Sequence, residues 1–219
     1  MKYKYILFAA MTVIMLAGCN WRGIKGSGDL KSVTREIENF DEVEIGGAFD
    51  VYIKVGEKTS LEIKGDDNLL QYIRTRVKGN TLEIDTRKNI RPRKGITINI
   101  TTPDLEKIVS SGASSISAIN FKNDELSVYL SGAGSIDLKG ETKELHVEMS
   151  GAGSLDADNL RAEDVSVSIS GACSADVYAI NSLDASVSGV GSIDYLGNPT
   201  RINSNVSGVG SINRKDQED

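Results

Sequence analysis

The sequence predicts an all-β protein whose C-terminal half is a β-solenoid with about 19–20 residues per coil. Three observations point to it. A Ser-Gly turn recurs six times at near-constant spacing, and the residues between turns alternate apolar and polar. The 219 residues also hold 22 glycines and 3 prolines with only 5% aromatics, so the core must be aliphatic and small.

The copies read Ser111-Gly112-Ala113-Ser114-Ser115-Ile116-Ser117, Ser131-Gly132-Ala133-Gly134-Ser135-Ile136-Asp137 and Ser150-Gly151-Ala152-Gly153-Ser154-Leu155-Asp156. They continue as Ser170-Gly171-Ala172-Cys173-Ser174-Ala175-Asp176, Ser188-Gly189-Val190-Gly191-Ser192-Ile193-Asp194 and Ser207-Gly208-Val209-Gly210-Ser211-Ile212-Asn213. Successive starts differ by 20, 19, 20, 18 and 19 residues. Such a period is too short for a pair of packed helices or a propeller blade and suits one solenoid coil. Between turns, Leu126, Val128 and Leu130 alternate with Ser127 and Tyr129, and the next coils repeat the pattern at Leu145, Val147 and Met149, then Val165, Val167 and Ile169. Period-two alternation means strands with one buried face.

Each repeat therefore reads as strand, Ser-Gly turn, short strand and a polar return loop such as Lys139–Glu144 or Asn198–Arg201. Stacking places like over like. The expected inward columns are Ala113, Ala133, Ala152, Ala172, Val190 and Val209, and, three places on, Ile116, Ile136, Leu155, Ala175, Ile193 and Ile212. The structural turn residues are Gly112, Gly132, Gly151, Gly171, Gly189 and Gly208, invariant as a corner with φ > 0 would require. The second glycine position accepts Ser114 and Cys173, so its requirement is space.

Residues 36–110 carry no full turn but remain β-rich, at Val43–Ile45, Phe49–Val55, Ser60–Lys64, Thr81–Asp85 and Ile96–Ile100. Gly46-Gly47-Ala48-Phe49-Asp50-Val51 looks like a degenerate relative of the turn. Asp67–Ile73 predicts a short helix capped by Asp66 or Asp67. This half reads as divergent coils or a cap continuous with the regular repeats of 111–213. The charged tail, 214–219, would discourage end-to-end pairing.

The N-terminus is an address. Lys2 and Lys4 precede an apolar run of about a dozen residues, short of the ~20 that span a bilayer. Leu16-Ala17-Gly18-Cys19 resembles a bacterial lipobox, which implies a signal peptide over residues 1–18, cleavage before Cys19 and acylation of its sulfur. Residues 19–35, with Gly23, Gly26 and Gly28, then read as a lipidated cysteine and flexible tether. Lipid-anchored surface proteins of Bacteroidetes tend to carry acidic residues just after that cysteine. Asn20–Lys25 has none, which leans toward the periplasmic side; the expected place is the cell envelope, as an outer-membrane lipoprotein facing periplasm or cell surface.

Formal net charge is −6, with 25 basic and 31 acidic residues, which argues against nucleic acid as a partner. Residues 19–110 hold 16 basic and 15 acidic side chains, whereas 111–213 hold 5 and 13. One histidine and two cysteines cannot build a His-rich or four-cysteine metal centre. No metal and no cofactor is expected.

Phe40-Asp41-Glu42-Val43-Glu44-Ile45, Gly65-Asp66-Asp67-Asn68-Leu69-Leu70 and the Ser-Gly-Ala-Gly-Ser repeats resemble the bacterial "putative autotransporter adhesin, head GIN" domain over roughly residues 36–213. The resemblance implies a right-handed single-stranded parallel β-helix of pectin-lyase-like shape without established catalysis. No membrane β-barrel or coiled-coil stalk follows in the sequence, so the expectation is a lipid-tethered, adhesin-like protein.

Several groups invite chemistry. Asp137, Asp156, Asp176 and Asp194 share one repeat position, between Ser117 and Asn213 at the ends. Such a column is a solvated face, a contact for a hard cation or a glycan, or an acid–base pair of a sugar-cleaving enzyme. No arginine, lysine or histidine stands in register with it. His146 falls on the face opposite the core, and no Gly-x-Ser-x-Gly elbow accompanies it. Ser-Gly-Ala-Gly-Ser lacks the lysine and following helix of a phosphate loop. Cys173 reads as a buried thiol. Arg87-Lys88-Asn89-Ile90-Arg91-Pro92-Arg93-Lys94 reads as an exposed basic loop able to touch lipid phosphates or an acidic glycan. The expectation is a non-catalytic surface for a polysaccharide, an envelope protein or a second copy in a homo-oligomer. A carbohydrate-active β-helix enzyme and a purely structural lipoprotein are the alternatives.

Overall fold

Long strands that bend around corners, rather than strands joined by loops, dominate the computed structural model, which describes residues 23–215. The signal-like segment, Cys19 and the end of the charged tail lie outside the described residues. In the regular half the strands are β11 (Ser115–Leu130), β12 (Ala133–Met149), β13 (Ala152–Ile169), β14 (Ala172–Val187), β15 (Val190–Gly197), β16 (Arg201–Val206) and β17 (Val209–Arg214). All neighbours among them pair in parallel, β16 against β14 and β17 against β15. The result is a β-solenoid of about five turns, as the repeat predicts. The described residues contain no α-helix, and none is long and apolar enough to cross a membrane.

The six corners lie along one ridge. The amide of Ala133 donates to Gly112 O at 2.9 Å, and the same bond recurs from Ala152 to Gly132, Ala172 to Gly151, Val190 to Gly171 and Val209 to Gly189. Close approach, not torsion, demands the glycines. None of the six has φ in the left-handed region, which corrects the expected φ > 0. A Cβ on any of them would instead lie 1.8–2.1 Å from a backbone oxygen of the preceding corner. The second position tolerates an inward side chain: Ser114 Oγ donates to Gly47 O, and the free Cys173 is buried with Sγ 3.3 Å from Gly151 O.

Inside the coils, like does sit over like. Leu126, Leu145, Val165 and Leu183 pair in register, as do Val128, Val147, Val167 and Ala185, all at most 3% exposed. Each such aliphatic side chain contributes about 1.5–3 kcal/mol on burial. The column of Ile116, Ile136, Leu155, Ala175 and Ile193 is buried as expected, with Ile212 half-buried. The other expected inward column is on the outside: Ala113, Ala133, Ala152 and Ala172 are exposed, and Val190 and Val209 are 59% and 74% exposed. Three places apart along a strand means opposite faces, so only one of the two columns can point inward. Lys139–Glu144 is not a loop but a third paired side, with Gly140 beside Leu160 and Thr142 beside Ala162. Leu160 and Ala162 are buried there, so the coil closes its core on this side too.

The front half supplies the floor. Its strands are β1 (Ile24–Lys25), β2 (Leu30–Arg35), β3 (Glu42–Gly46), β4 (Asp50–Val55), β5 (Ser60–Asp66), β6 (Ile73–Lys78), β7 (Thr81–Thr86), β8 (Ile90–Arg91), β9 (Thr97–Thr102) and β10 (Lys107–Ser110). Gly46-Gly47 is indeed the corner of a true coil: β3 lies beside β10, β4 lies beside β11, and Ala113 N donates to Gly47 O at 2.7 Å. Below it, β3 pairs with β7 and β4 with β9, both parallel. The antiparallel strands β6, β5 and β2 then close that end. Glu42 pairs with Thr81 and Asp50 with Thr97, so the connection at the lowest corner is eight residues longer than in the coil above. That longer connection holds the basic loop. At the opposite end no strand among the described residues caps β16 and β17, leaving Ile202 50% and Val206 43% exposed.

The supposed tether is strapped down from Ile24 onward. β1 pairs in parallel with β8 of the basic loop, and β2 pairs with β5. Asp66 is the buckle. It is fully buried, and its carboxylate accepts from the amides of Gly28 at 2.6 Å and Arg93 at 2.9 Å. It caps no helix: Leu70–Tyr72 is a single 3-10 turn without a side-chain cap. Burial pushes the Asp66 carboxyl up, but the amides of Arg93, Gly28 and Lys94 and the Arg93 charge outweigh it and hold it below the usual carboxylate range.

Two stability tests follow from these contacts. Gly151→Ala is expected to lose about 3 kcal/mol in chemical denaturation, the upper end of overpacking, whereas exposed Ala152→Ser stays within about 0.5 kcal/mol. Asp66→Asn is expected to cost on the order of 2 kcal/mol near neutral pH, because buried amides lose a charged acceptor. A depressed carboxyl stabilises the fold above its unfolded pKa and ceases to as pH falls through its folded one. The gap between Asp66→Asn and the parent should therefore close in acid, as thermal melts across pH would show.

Candidate functional site: outward columns and a carboxylate cleft

The run after each corner presents a flat outer face. Register places the exposed Ala/Val column beside a column of serines, Ser115, Ser135, Ser154, Ser174, Ser192 and Ser211, and then the column of Ser117, Asp137, Asp156, Asp176, Asp194 and Asn213. Rungs about 4.8 Å apart make this a regular array of hydroxyls and carboxylates. Every copy of the turn contributes a serine to this column, and Ser135 Oγ donates to Ser115 Oγ one coil away at 3.3 Å.

The aspartates are brought together as expected, but they are not a bare acidic strip. Lys139 Nζ lies 3.0 Å from Asp137, whose same oxygen accepts from Ser117 Oγ at 3.3 Å. Lys215 Nζ reaches Asp176 at 2.8 Å and Asp158 at 3.0 Å. Hydrogen bonds to Asp176 and then Asp158 hold its ammonium well above the usual lysine range. Asn213 Nδ2 donates to Asp194 at 3.0 Å, and the Asp158 amide donates to Asp156 at 3.2 Å. The expectation that no basic residue accompanies the column is thus corrected: Lys139 reaches it from two places along the strand and Lys215 from just past the last coil. Among the described residues no cluster of three or more His, Cys, Asp or Glu side chains is placed to hold a metal ion.

His146 sits on the outer side of the other long face, half-buried, with Ser127 and Ser166 above and below it. Its Nε2 meets Glu148 at 3.0 Å and its ring meets Tyr129 at 5.9 Å, so its partner is a carboxylate and not a serine nucleophile.

A feature missed from the sequence is a cleft of about 670 Å³ where the cap meets the first regular coil, lined by Glu42, Asp104, Glu106, Lys107, Asp124 and Tyr129 among others. The charge of Asp41, then burial, then the charges of Asp104, Glu125 and Glu42 push the Glu106 carboxyl up. Glu42 goes the other way, held down by a hydrogen bond from Thr81 and by Lys107 against the opposing effect of burial. The one-coil offset that pairs Lys107 with Ser127 also relates Asp104 to Asp124, and that spacing was the available signal.

Parallel coils stacked in register, with continuous outer columns, define the class as a β-solenoid. A model of the family described as "Putative auto-transporter adhesin, head GIN domain" matches residues 39–199. The chain belongs to that family. It is similar to a solved "putative adhesin" from Bacteroides fragilis, at 29% identity and a TM-score of 0.71, over 88% of this chain and all of that one. In fold it also matches a "putative adhesin" from Parabacteroides merdae at 18% identity and TM-score 0.57, covering 89% and 99% of the two chains. A "putative lipid binding protein" from Parabacteroides distasonis shares the fold at 23% identity and TM-score 0.54, covering 89% and 100%. Comparison with curated proteins finds no match.

A carboxyl pushed up by its neighbours costs stability once ionised and ceases to as pH falls below its unfolded pKa. Glu106→Gln is therefore expected to raise the melting temperature near neutral pH and to leave it unchanged in strong acid. Calorimetry at both ends checks this.

Proposed function

We propose that the protein is a non-catalytic, lipid-anchored envelope adhesin that holds an extended polysaccharide along its solenoid face. One observation carries the reading: hydroxyl, carboxylate and small apolar columns run side by side, in register, from coil to coil. A periodic row of acceptors and hydroxyl donors suits a periodic polyhydroxylated polymer, and the small side chains between them let it lie flat. Membership of an adhesin-like family supports a cell-surface or envelope setting. The lipobox-like Leu16-Ala17-Gly18-Cys19 supports anchorage by acylation at Cys19. An envelope protein is the other ligand class this face would accept.

The enzymatic alternative rests on Asp156 and Asp176, neighbours across one rung. Asp176 is committed to Lys215, and Asp156 accepts from a backbone amide. Converting both to asparagine separates the readings. An adhesin should keep its fold and most of its retention on glycan arrays. Turnover of any acidic or neutral glycan by the parent, abolished in the double variant, would overturn the non-catalytic reading. Mass spectrometry of the native N-terminus tests acylation, and protease shaving of intact cells tests outward display.

A further inference from the structure

We infer that the capped end of the solenoid is a membrane-seating surface, on which the basic loop of residues 87–94 binds the phosphates of anionic phospholipid and sets the coils upright. The inference deepens the proposed anchorage and rests on it for orientation, not for binding.

Three observations carry it. First, the loop is a built patch. It replaces the lowest corner of the ridge, and it is fixed by Arg87 N to Tyr72 O, Ile24 N to Asn89 O, Gly26 N to Arg91 O and Arg93 N to Asp66, all at 2.9 Å. From it Arg87, Lys88, Arg91, Arg93 and Lys94 are exposed, and exposed Lys25 lies in the paired strand beside Arg91. Lys88 Nζ also stands 5.2 Å from the Tyr72 ring centre, which keeps that ammonium on this end. The acidic residues close by are engaged or few: Asp66 is buried under backbone amides and Asp67 accepts from Ser27 Oγ at 2.6 Å, leaving Asp29 at the margin and Asp50, whose carboxylate lies against Gly95 just past the loop. A cluster of this size is what an anionic leaflet attracts.

Second, the strap brings the loop to the anchor. Ile24, the first strapped residue, is five residues after Cys19, and five residues span at most about 18 Å. A lipid on Cys19 therefore holds the patch within reach of headgroups without any long linker.

Third, charge along the molecule is polarised. The coils of residues 111–213 carry 5 basic and 13 acidic side chains, while the capped end carries the loop. The same anionic surface that attracts the loop repels the coils. The solenoid then stands off the membrane with its open last coil distal and its outer columns free for the polymer.

The test uses the chain from Asn20 onward, which contains every core residue and lacks the acylation position, so that charge alone is read. It is floated with vesicles of phosphatidylcholine, with or without about one third phosphatidylglycerol. The chain is expected to bind the anionic vesicles at about 0.01 M salt and to release at about 1 M, where the screening length is near 3 Å. It should ignore phosphatidylcholine alone. Arg87→Gln, Lys88→Gln, Arg93→Gln and Lys94→Gln together should raise the half-saturating lipid at least about tenfold. The same number of changes on the coils, Lys122→Gln, Lys139→Gln, Lys143→Gln and Arg201→Gln, should not. Equal loss in both variants, no binding by the parent, or capture by soluble alginate with none by vesicles would overturn the inference. The salt series on the parent decides the matter if the loop variant does not fold. Loss of acylation in the native chain with vesicle binding intact would remove the anchor and leave the seating surface standing.

Discussion

Backbone meets backbone at every corner of this molecule, and the rest of the structure depends on that approach. The amide after each corner glycine reaches the carbonyl of the glycine one coil below, and no side chain fits between them. Because the contact is made of main chain, it recurs identically in each coil and fixes the register of everything downstream. The aliphatic columns can interlock only because the corners already hold the coils at one spacing. The outer serine and aspartate columns inherit the same spacing, so the geometry of the contact face is a by-product of the corner.

Polar groups in the coils are mostly satisfied locally. Asp137 turns to Lys139 and Ser117, Asp176 and Asp158 share Lys215, and Asp194 takes Asn213. Surface pairs of this kind contribute little to stability individually. Their effect is on the character of the face, which presents partly neutralised carboxylates among hydroxyls instead of a dense negative strip. Like charges gather elsewhere, carboxylates in the cleft beside Glu106 and basic side chains in the loop at the capped end.

The period made the solenoid legible, and alternation located the column of Ile116, Ile136 and Leu155. The column of Ala113 and Ala133 was misplaced because alanine and valine fit either side of a sheet, and only the two-residue alternation, counted strictly, separates them. The corner glycines were singled out correctly for the wrong cause: an invariant glycine marks either a torsion or a close neighbour, and one chain read alone does not say which. Asp66 reads in the sequence as a candidate helix cap, beside Asp67, and not as the acceptor for Gly28 and Arg93, which lie 38 and 27 residues away. The cleft depends on Asp41, Glu42, Asp104 and Glu125 meeting across different coils, which needs the register of the front half, and that register is interrupted.

The interruption has its own consequence. Gly47 and Gly112 are stacked corners, yet sixty-five positions separate them, since the chain leaves the first coil to lay β5 through β9 before resuming. The foundation is therefore interwoven and must be complete before any storey can rest on it. Each later coil is added onto a finished surface from residues already at hand. Whole storeys can therefore be added or removed at the free end without disturbing the masonry at the base.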